Sequence, residues 1–350
     1  MTLNNKQILN LVLIANANEK IGGGHVSRLL ILAKEFLKIN FKVYLLTDKN
    51  SELPYPLPKI EVIRVDSILN FKEIKSNIDF PIDVTILDGY NFSTEFEKSV
   101  NSISIVTCIF DDFKNKTHQC DFIINQNLGV TKNDYTYPKS SIVLSGEEYT
   151  LFEDQILNEA TKSIRNKINT VLVNFGSYDI FQLSKYVVQE LMEFEIEIIF
   201  AMGHSSPEFL IDFINSLSKQ IKFSHKIYPY TDLLSLMQKA DIVIGGSGSS
   251  IWHRCILGLP SIIISQSDDQ VEIAKHLEQN NFALYLNHFN VLQKNSLKNL
   301  MSQLKNNNSI LENISKKVQT LFDGNGKNRI LSKIMNCYSI KKSKYVQKRI

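Results

Sequence analysis

From about residue 8 to residue 338, short β-branched runs alternate with stretches of helical apolar period, and turn residues close each run. A chain written this way folds as parallel sheets whose crossovers are helices packed on the sheet faces. In the first half the spacing predicts strands near 8–15, 41–47, 60–64, 83–88, 103–109, 121–125 and 141–144, with helices near 25–39, 69–77 and 93–101. The pattern then restarts, with strands near 169–174, 196–201, 222–226, 241–245, 261–265 and 283–286 and helices from 180–193 through 326–338. The polar stretch Asn158–Asn169 separates the halves, and 350 residues suit two domains. The reading is an α/β chain of two Rossmann-like parallel-sheet domains facing a central cleft. They span residues 1–160 and 161–338 and are followed by a basic tail at 339–350.

Charge excludes some functions. The last ten residues carry five Lys or Arg and no acid, and without them the net charge falls from +3 to −2. The body therefore has no basic surplus of the kind a nucleic-acid partner needs. No apolar run reaches the roughly 18 residues of a membrane span, so stable membrane insertion is not expected. Weak, salt-sensitive contact of the tail with an anionic membrane surface is weighed against a loose, solvated end. The apolar stretch near the N-terminus lacks a small-residue cleavage site and reads as a buried strand. Cys108, Cys120, Cys255 and Cys337 are scattered, which suits a reducing cytoplasm. No spacing suits a metal, and neither metal nor cofactor is expected.

In open parallel sheets ligands bind beyond the carboxyl ends of strands, and the small and polar residues of this chain collect there. Gly22, Gly23 and Gly24 follow the first strand, with His25 and Arg28 in the helix they open. Glycines allow close backbone approach, the helix start favours negative charge, and a His there can act as a general base. The spacing is not that of a dinucleotide-binding loop, and no acid is expected at the end of the second strand. Asp88 and Tyr90 end the fourth strand. Asp111 and Asp112 are adjacent, so their side chains should diverge.

In the second half, Gly176 and Ser177 follow the first strand. The run Gly245-Gly246-Ser247-Gly248-Ser249-Ser250 ends a later strand and opens a helix carrying His253 and Arg254. Its backbone N–H groups and hydroxyls suit a pyrophosphate. Asp269 and Gln270 follow the next strand and are placed to reach the same ligand.

The segments IGGGHVSR, LDGY, FDDFKNKTHQCDFIINQNLG, VNFGSYD, GGSGSSIWHRCILGLPSIII, DDQ and DGNGKNRI run in order from about Leu11 to Arg329. Together they resemble the UDP-sugar hydrolases of pseudaminic acid biosynthesis, which cleave UDP-2,4-diacetamido-2,4,6-trideoxy-β-L-altropyranose and are often labelled spore-coat polysaccharide proteins. The resemblance implies the GT-B glycosyltransferase fold, metal-free chemistry and a nucleotide held by the second domain. It implies His25 as the base that activates water, Tyr90 as a sugar contact and Gly246 to Ser250 as the pyrophosphate loop. Water would attack the anomeric carbon with inversion as UDP departs. His253 stands where the family has Glu, and Asp269 where it has Asn, so these two are expected to pair. Two further readings stay open: a GT-B glycosyltransferase of surface-glycan assembly using a related, CMP-linked donor, and a sugar-nucleotide-binding protein without activity.

Overall fold

In the computed structural model the chain forms two units, Met1–Glu153 with Gly324–Ile350, and Asp154–Asp323. The structure describes residues 8–18, 21, 23–54, 56–159, 163–176, 179, 181–202, 208–216, 224–229, 233–248 and 250–347.

The first unit is a seven-stranded sheet of β1 (Leu9–Ile14), β2 (Phe41–Asp48), β3 (Glu61–Val65), β4 (Ile82–Asp88), β5 (Ser104–Phe110), β6 (Phe122–Asn125) and β7 (Ile142–Ser145), in the order β3-β2-β1-β4-β5-β6-β7. Every pairing is parallel. Helices α1 (Gly24–Lys38), α2 (Phe71–Ser76) and α3 (Thr94–Ile103) are its crossovers. Alternate residues serve opposite faces. Leu11, Leu13, Val84 and Ile86 pack on one side with Phe36 of α1, and Val12, Ile14 and Leu87 pack on the other with Phe96 of α3. All seven residues of β4 are buried, as a strand covered on both faces requires.

The second unit begins with α4 (Asp154–Glu159) and carries β8 (Thr170–Asn174), β9 (Glu197–Met202), β10 (Ser224–Pro229), β11 (Ile242–Gly245), β12 (Ser261–Ser265) and β13 (Leu284–His288). These form a second parallel sheet, ordered β10-β9-β8-β11-β12-β13. Helices α5 (Leu183–Leu191), α6 (Glu208–Ser216), α7 (Leu233–Lys239), α8 (Ser250–Ile256), α9 (Asp268–Gln279), α10 (Ser296–Asn306) and α11 (Asn308–Val318) complete it. In both sheets the strand order reverses beside the first strand, at β1/β4 and at β8/β11. Those switch points are where a doubly wound sheet opens a crevice for ligand.

Every expected strand has a counterpart. The C-terminal helix differs. α12 (Gly326–Gln347) runs well beyond residue 338 and belongs to the first unit. Ile330, Ile334 and Tyr338, four residues apart, form the stripe it buries in the first core. The buried Lys327 Nζ lies 3.3 Å from Glu35 Oε1 of α1. Tyr338 donates to Asp83 Oδ1 at 2.8 Å, and the other oxygen of Asp83 accepts the Asn10 N–H at 2.7 Å. Lys341, expected in a loose tail, is helical. It donates to the Ile105 carbonyl at 2.9 Å and pairs with Asp121 at 2.6 Å. No helix is long and apolar enough to cross a membrane among the described residues.

The loop between β5 and β6 is locked by a buried ionic cluster. His118 Nδ1 meets Glu97 Oε1 at 2.9 Å, its Nε2 lies 3.5 Å from Asp111 Oδ2, and Lys116 Nζ is 2.9 Å from Glu97. Burial alone would lower the His118 pKa, but Asp111 and Glu97 hold it above its usual value. Burial would raise Glu97 and Asp111, but His118 and neighbouring donors bring both below the ordinary carboxylate range. A raised His stabilises the fold below its unfolded-state pKa and loses that effect as pH rises through the folded value. Lowered carboxylates stabilise above theirs and lose the effect as pH falls.

Two outcomes follow for urea unfolding. Tyr338→Phe strands an Asp83 oxygen and should cost about 1–2 kcal/mol, while Ser343→Ala on the exposed side of α12 should cost under about 0.5 kcal/mol. The stability difference between wild type and His118→Gln should be largest near pH 5.5–6 and shrink above about pH 7 and below about pH 4. A difference independent of pH would mean the cluster carries no net charge coupling.

Candidate active site

The first cluster of chemistry lies at the β1/β4 switch point. Gly23 is the N-cap of α1 and its carbonyl accepts the Ser27 N–H at 3.0 Å. Neither Gly23 nor Gly24 has a positive φ, and a Cβ at either would meet nothing within 4 Å. What the glycines leave is open space over the first turn of the helix.

His25, one residue into α1, is buried and points its Nδ1 at Asp88 Oδ1, 2.6 Å away at the end of β4. Asp88, an expected substrate contact, is fully buried. Its second oxygen accepts from Arg28 Nε, and Arg28 Nη2 donates to Oδ1 at 2.7 Å. Arg28 is equally committed. Its other face forks onto Asp112, with Nη1 to Oδ1 at 3.0 Å and Nη2 to Oδ2 at 2.8 Å, and its guanidinium lies over the Phe110 ring. Arg28, an expected ligand contact, is thus bonded to both carboxylates. Burial by itself would raise the Asp88 carboxyl, but Arg28 and His25 hold it below the ordinary carboxylate range.

An ionised Asp88 fixes the proton on His25 Nδ1 and leaves the Nε2 lone pair available. No described residue hydrogen-bonds Nε2. Tyr90, half exposed, stands edge-on to the His25 ring with centroids 4.5 Å apart and also contacts Phe113. Asp111 and Asp112 diverge as expected. Asp111 accepts the Phe113 and Lys114 N–H groups, and Asp112 faces Arg28 and Asn127. The His118 cluster thus anchors the loop that delivers Asp112 and Phe113. Asp112 was not among the expected site residues; its signal was its place directly after β5.

A polar hollow of about 350 Å³ lies beside this cluster's sheet edge, lined by Asn16, Asp48, Lys49, Ser51 and Asp66 among others. Asp48 is the last residue of β2, which corrects the expectation of no acid there. It is already engaged, accepting from Asn16 Nδ2 and the Ile68 N–H, each at 2.6 Å.

The second cluster joins the ends of β8, β11 and β12. Gly245 admits no side chain, since a Cβ would sit 2.1 Å from the Asn174 carbonyl oxygen; at Gly246 it would sit 2.9 Å from Gln270 Oε1. Gly176 needs glycine for its φ of +87°, and Gly248 faces open space. Ser247, expected at the phosphate, is buried and donates its hydroxyl to the Gln270 carbonyl at 2.8 Å. Gln266 Nε2 donates to the Phe175 carbonyl, and the Gln266 N–H to Gln270 Oε1. Ser247 and Gln270 therefore tie the loops together. Ser250 and His253 are half-buried on α8. Ser177, Ser249 and the side chain of Asp269 lie outside the described residues, and with the last the expected His253–Asp269 pair. No group of three or more metal-ligating side chains occurs among the described residues.

Residues 155–330, half of the chain, match the glycosyltransferase family 28 C-terminal domain. The chain is 28% identical over 250 residues to the UDP-2,4-diacetamido-2,4,6-trideoxy-beta-L-altropyranose hydrolase of Campylobacter jejuni, covering 69% of this chain and 86% of that protein. It is 25% identical over 293 residues, 75% of its length, to an uncharacterized protein of Methanocaldococcus jannaschii, of which it spans 57%. The spore coat polysaccharide biosynthesis protein SpsG of Bacillus subtilis is 23% identical over 348 residues, 94% of this chain and 99% of that one. Among solved structures, MurG of Acinetobacter baumannii has a TM-score of 0.70 at 15% identity and covers 94% of this chain and 99% of its own. At that identity the likeness is one of fold, and the two parallel-sheet units are those of the GT-B fold. The chain belongs, through residues 155–330, to the family of the glycosyltransferase family 28 C-terminal domain.

Proposed function

We propose that the chain is a GT-B enzyme of glycan biosynthesis that hydrolyses a nucleotide-linked sugar, with His25 as general base. The observation that carries this reading is the 2.6 Å contact between His25 Nδ1 and the buried Asp88, with Nε2 left without a partner. The similarity to the Campylobacter hydrolase supports a UDP-linked diacetamido-trideoxyhexose as substrate and a place in nonulosonic acid synthesis.

His25 Nε2 takes a proton from water as the water oxygen bonds to the anomeric carbon. The bond from that carbon to the diphosphate oxygen breaks, its electron pair leaves with the nucleotide, and the configuration inverts. Asp88 fixes the tautomer and orientation of the imidazole and stabilises the imidazolium, while remaining ionised itself. Tyr90 limits the approach to one edge of the ring and contacts the sugar. The loop at the end of β11 holds the diphosphate, whose charge must be met by fixed donors for it to leave without a general acid.

The family 28 domain favours a second reading, in which a glycan hydroxyl replaces water and the donor differs, a CMP-linked sugar included. Purified protein with a panel of nucleotide sugars distinguishes the two. Nucleotide release in buffer alone is the result expected here, and release that begins only when a glycan acceptor is added belongs to the transferase. His25→Asn and Asp88→Asn should each lower the release rate at least about 100-fold while leaving nucleotide affinity within about twofold. Turnover within a few-fold of wild type in His25→Asn would remove His25 from the mechanism.

A further inference from the structure

Arg254 is 1% exposed and has no carboxylate partner among the described residues. Its guanidinium sits inside the turn that follows β11. Nη1 donates to the Gly246 carbonyl at 3.1 Å and Nη2 to Ser250 Oγ at 3.0 Å, while Nε is buried without any hydrogen-bond partner. Burial lowers its pKa to about 10, which still leaves it charged at neutral pH. A full charge held in a protein interior without a counter-ion is costly, and chains rarely keep one without a use for it. Among the other described cations, part-buried Arg28 pairs with two carboxylates and buried Lys327 with Glu35, while buried Arg165 also lacks a carboxylate partner but donates to the Ser163, Ala240 and Leu257 carbonyls.

The contacts also set donor and acceptor roles. Ser250 accepts from Nη2, so its own hydroxyl hydrogen is free to be given to something else. No described residue takes it. The Gly246 carbonyl is drawn inward by Nη1, which turns the acceptor side of the loop towards the protein. Gly245 has no room for a side chain between the Asn174 carbonyl and Nη2, so the glycine pair lets the guanidinium lie directly against the strand end. α8 has only seven residues, and the positive charge at this loop comes from Arg254.

We propose that Arg254 is the buried counter-charge of a diphosphate-binding loop, a positioning residue that holds Gly246 and Ser250 from inside and makes Ser250 a donor to the bound anion. The inference rests on the nucleotide-sugar reading, and it names the residue that confers affinity for the charged part of that substrate. It gives the charge of Arg254, which has no carboxylate partner among the described residues, a counter-charge in the diphosphate.

The test uses the full chain and three probes: UDP, inorganic pyrophosphate and uridine. Calorimetry on wild type, Arg254→Met and Ser250→Ala should show UDP affinity reduced about tenfold or more in the first and several-fold in the second, with uridine affinity unchanged in both. Without ligand, Arg254→Met should melt no lower than wild type, because an apolar side chain of similar length replaces an uncompensated charge. Pyrophosphate should raise the melting temperature of wild type and leave that of Arg254→Met where it was. A purely structural Arg254 would instead weaken UDP and uridine alike or lower the melting temperature of the ligand-free variant, and either result overturns the proposal. If Arg254→Met does not fold, Ser250→Ala decides, since it keeps the guanidinium; unchanged UDP affinity there is also a refutation. Wild type that binds neither UDP nor pyrophosphate refutes the nucleotide-sugar reading itself. Wild type that binds both, beside an Arg254→Met that binds them equally well, refutes only the role of Arg254.

Discussion

The chemistry of the first unit hangs on the carboxylate of Asp88. It is fully buried, and it stays ionised only because Arg28 and His25 surround it. That one charge fixes which nitrogen of His25 carries the proton, and so which nitrogen can act. Arg28 in turn is held flat by Asp112 and Phe110, and Asp112 is delivered by a loop that His118 pins from below. The dyad is therefore the outermost layer of a nested ionic structure.

The second unit solves a different problem with the same topology. Its switch point gathers backbone and glycine, and hydroxyls and amides spend themselves on holding three loops together. Ser250 accepts from Arg254, whose charge has no carboxylate partner among the described residues. Under the proposed function, His25 of the first unit is the proton acceptor and the loop after β11 of the second unit is the anion site.

Much of this was legible in the chain. The thirteen strands among the described residues follow from β-branched runs closed by turn residues, most plainly where a strand such as β4 is buried on both faces. The position of His25 after the glycines was equally plain. The burial of Asp88 and Ser247, and the engagement of Arg28 by two carboxylates, were not. A carboxylate, a guanidinium or a hydroxyl at a strand end reads as a ligand contact, and only three-dimensional pairing shows that its valences are already taken. The same blindness hid Arg254, whose significance is the absence of a partner. It also misplaced α12: Ile330, Ile334 and Tyr338 announce a buried stripe, but nothing in the period says which sheet receives it.

The central claim is that water, activated at His25, attacks carbon and not phosphorus. A single-turnover reaction in ¹⁸O-enriched water, read by mass spectrometry of the released nucleotide, tests it directly. The account predicts that the nucleotide leaves without ¹⁸O, because the anomeric carbon–oxygen bond breaks and the bridging oxygen departs with the diphosphate. Enrichment of the nucleotide phosphate with ¹⁸O would mean attack at phosphorus and would contradict it.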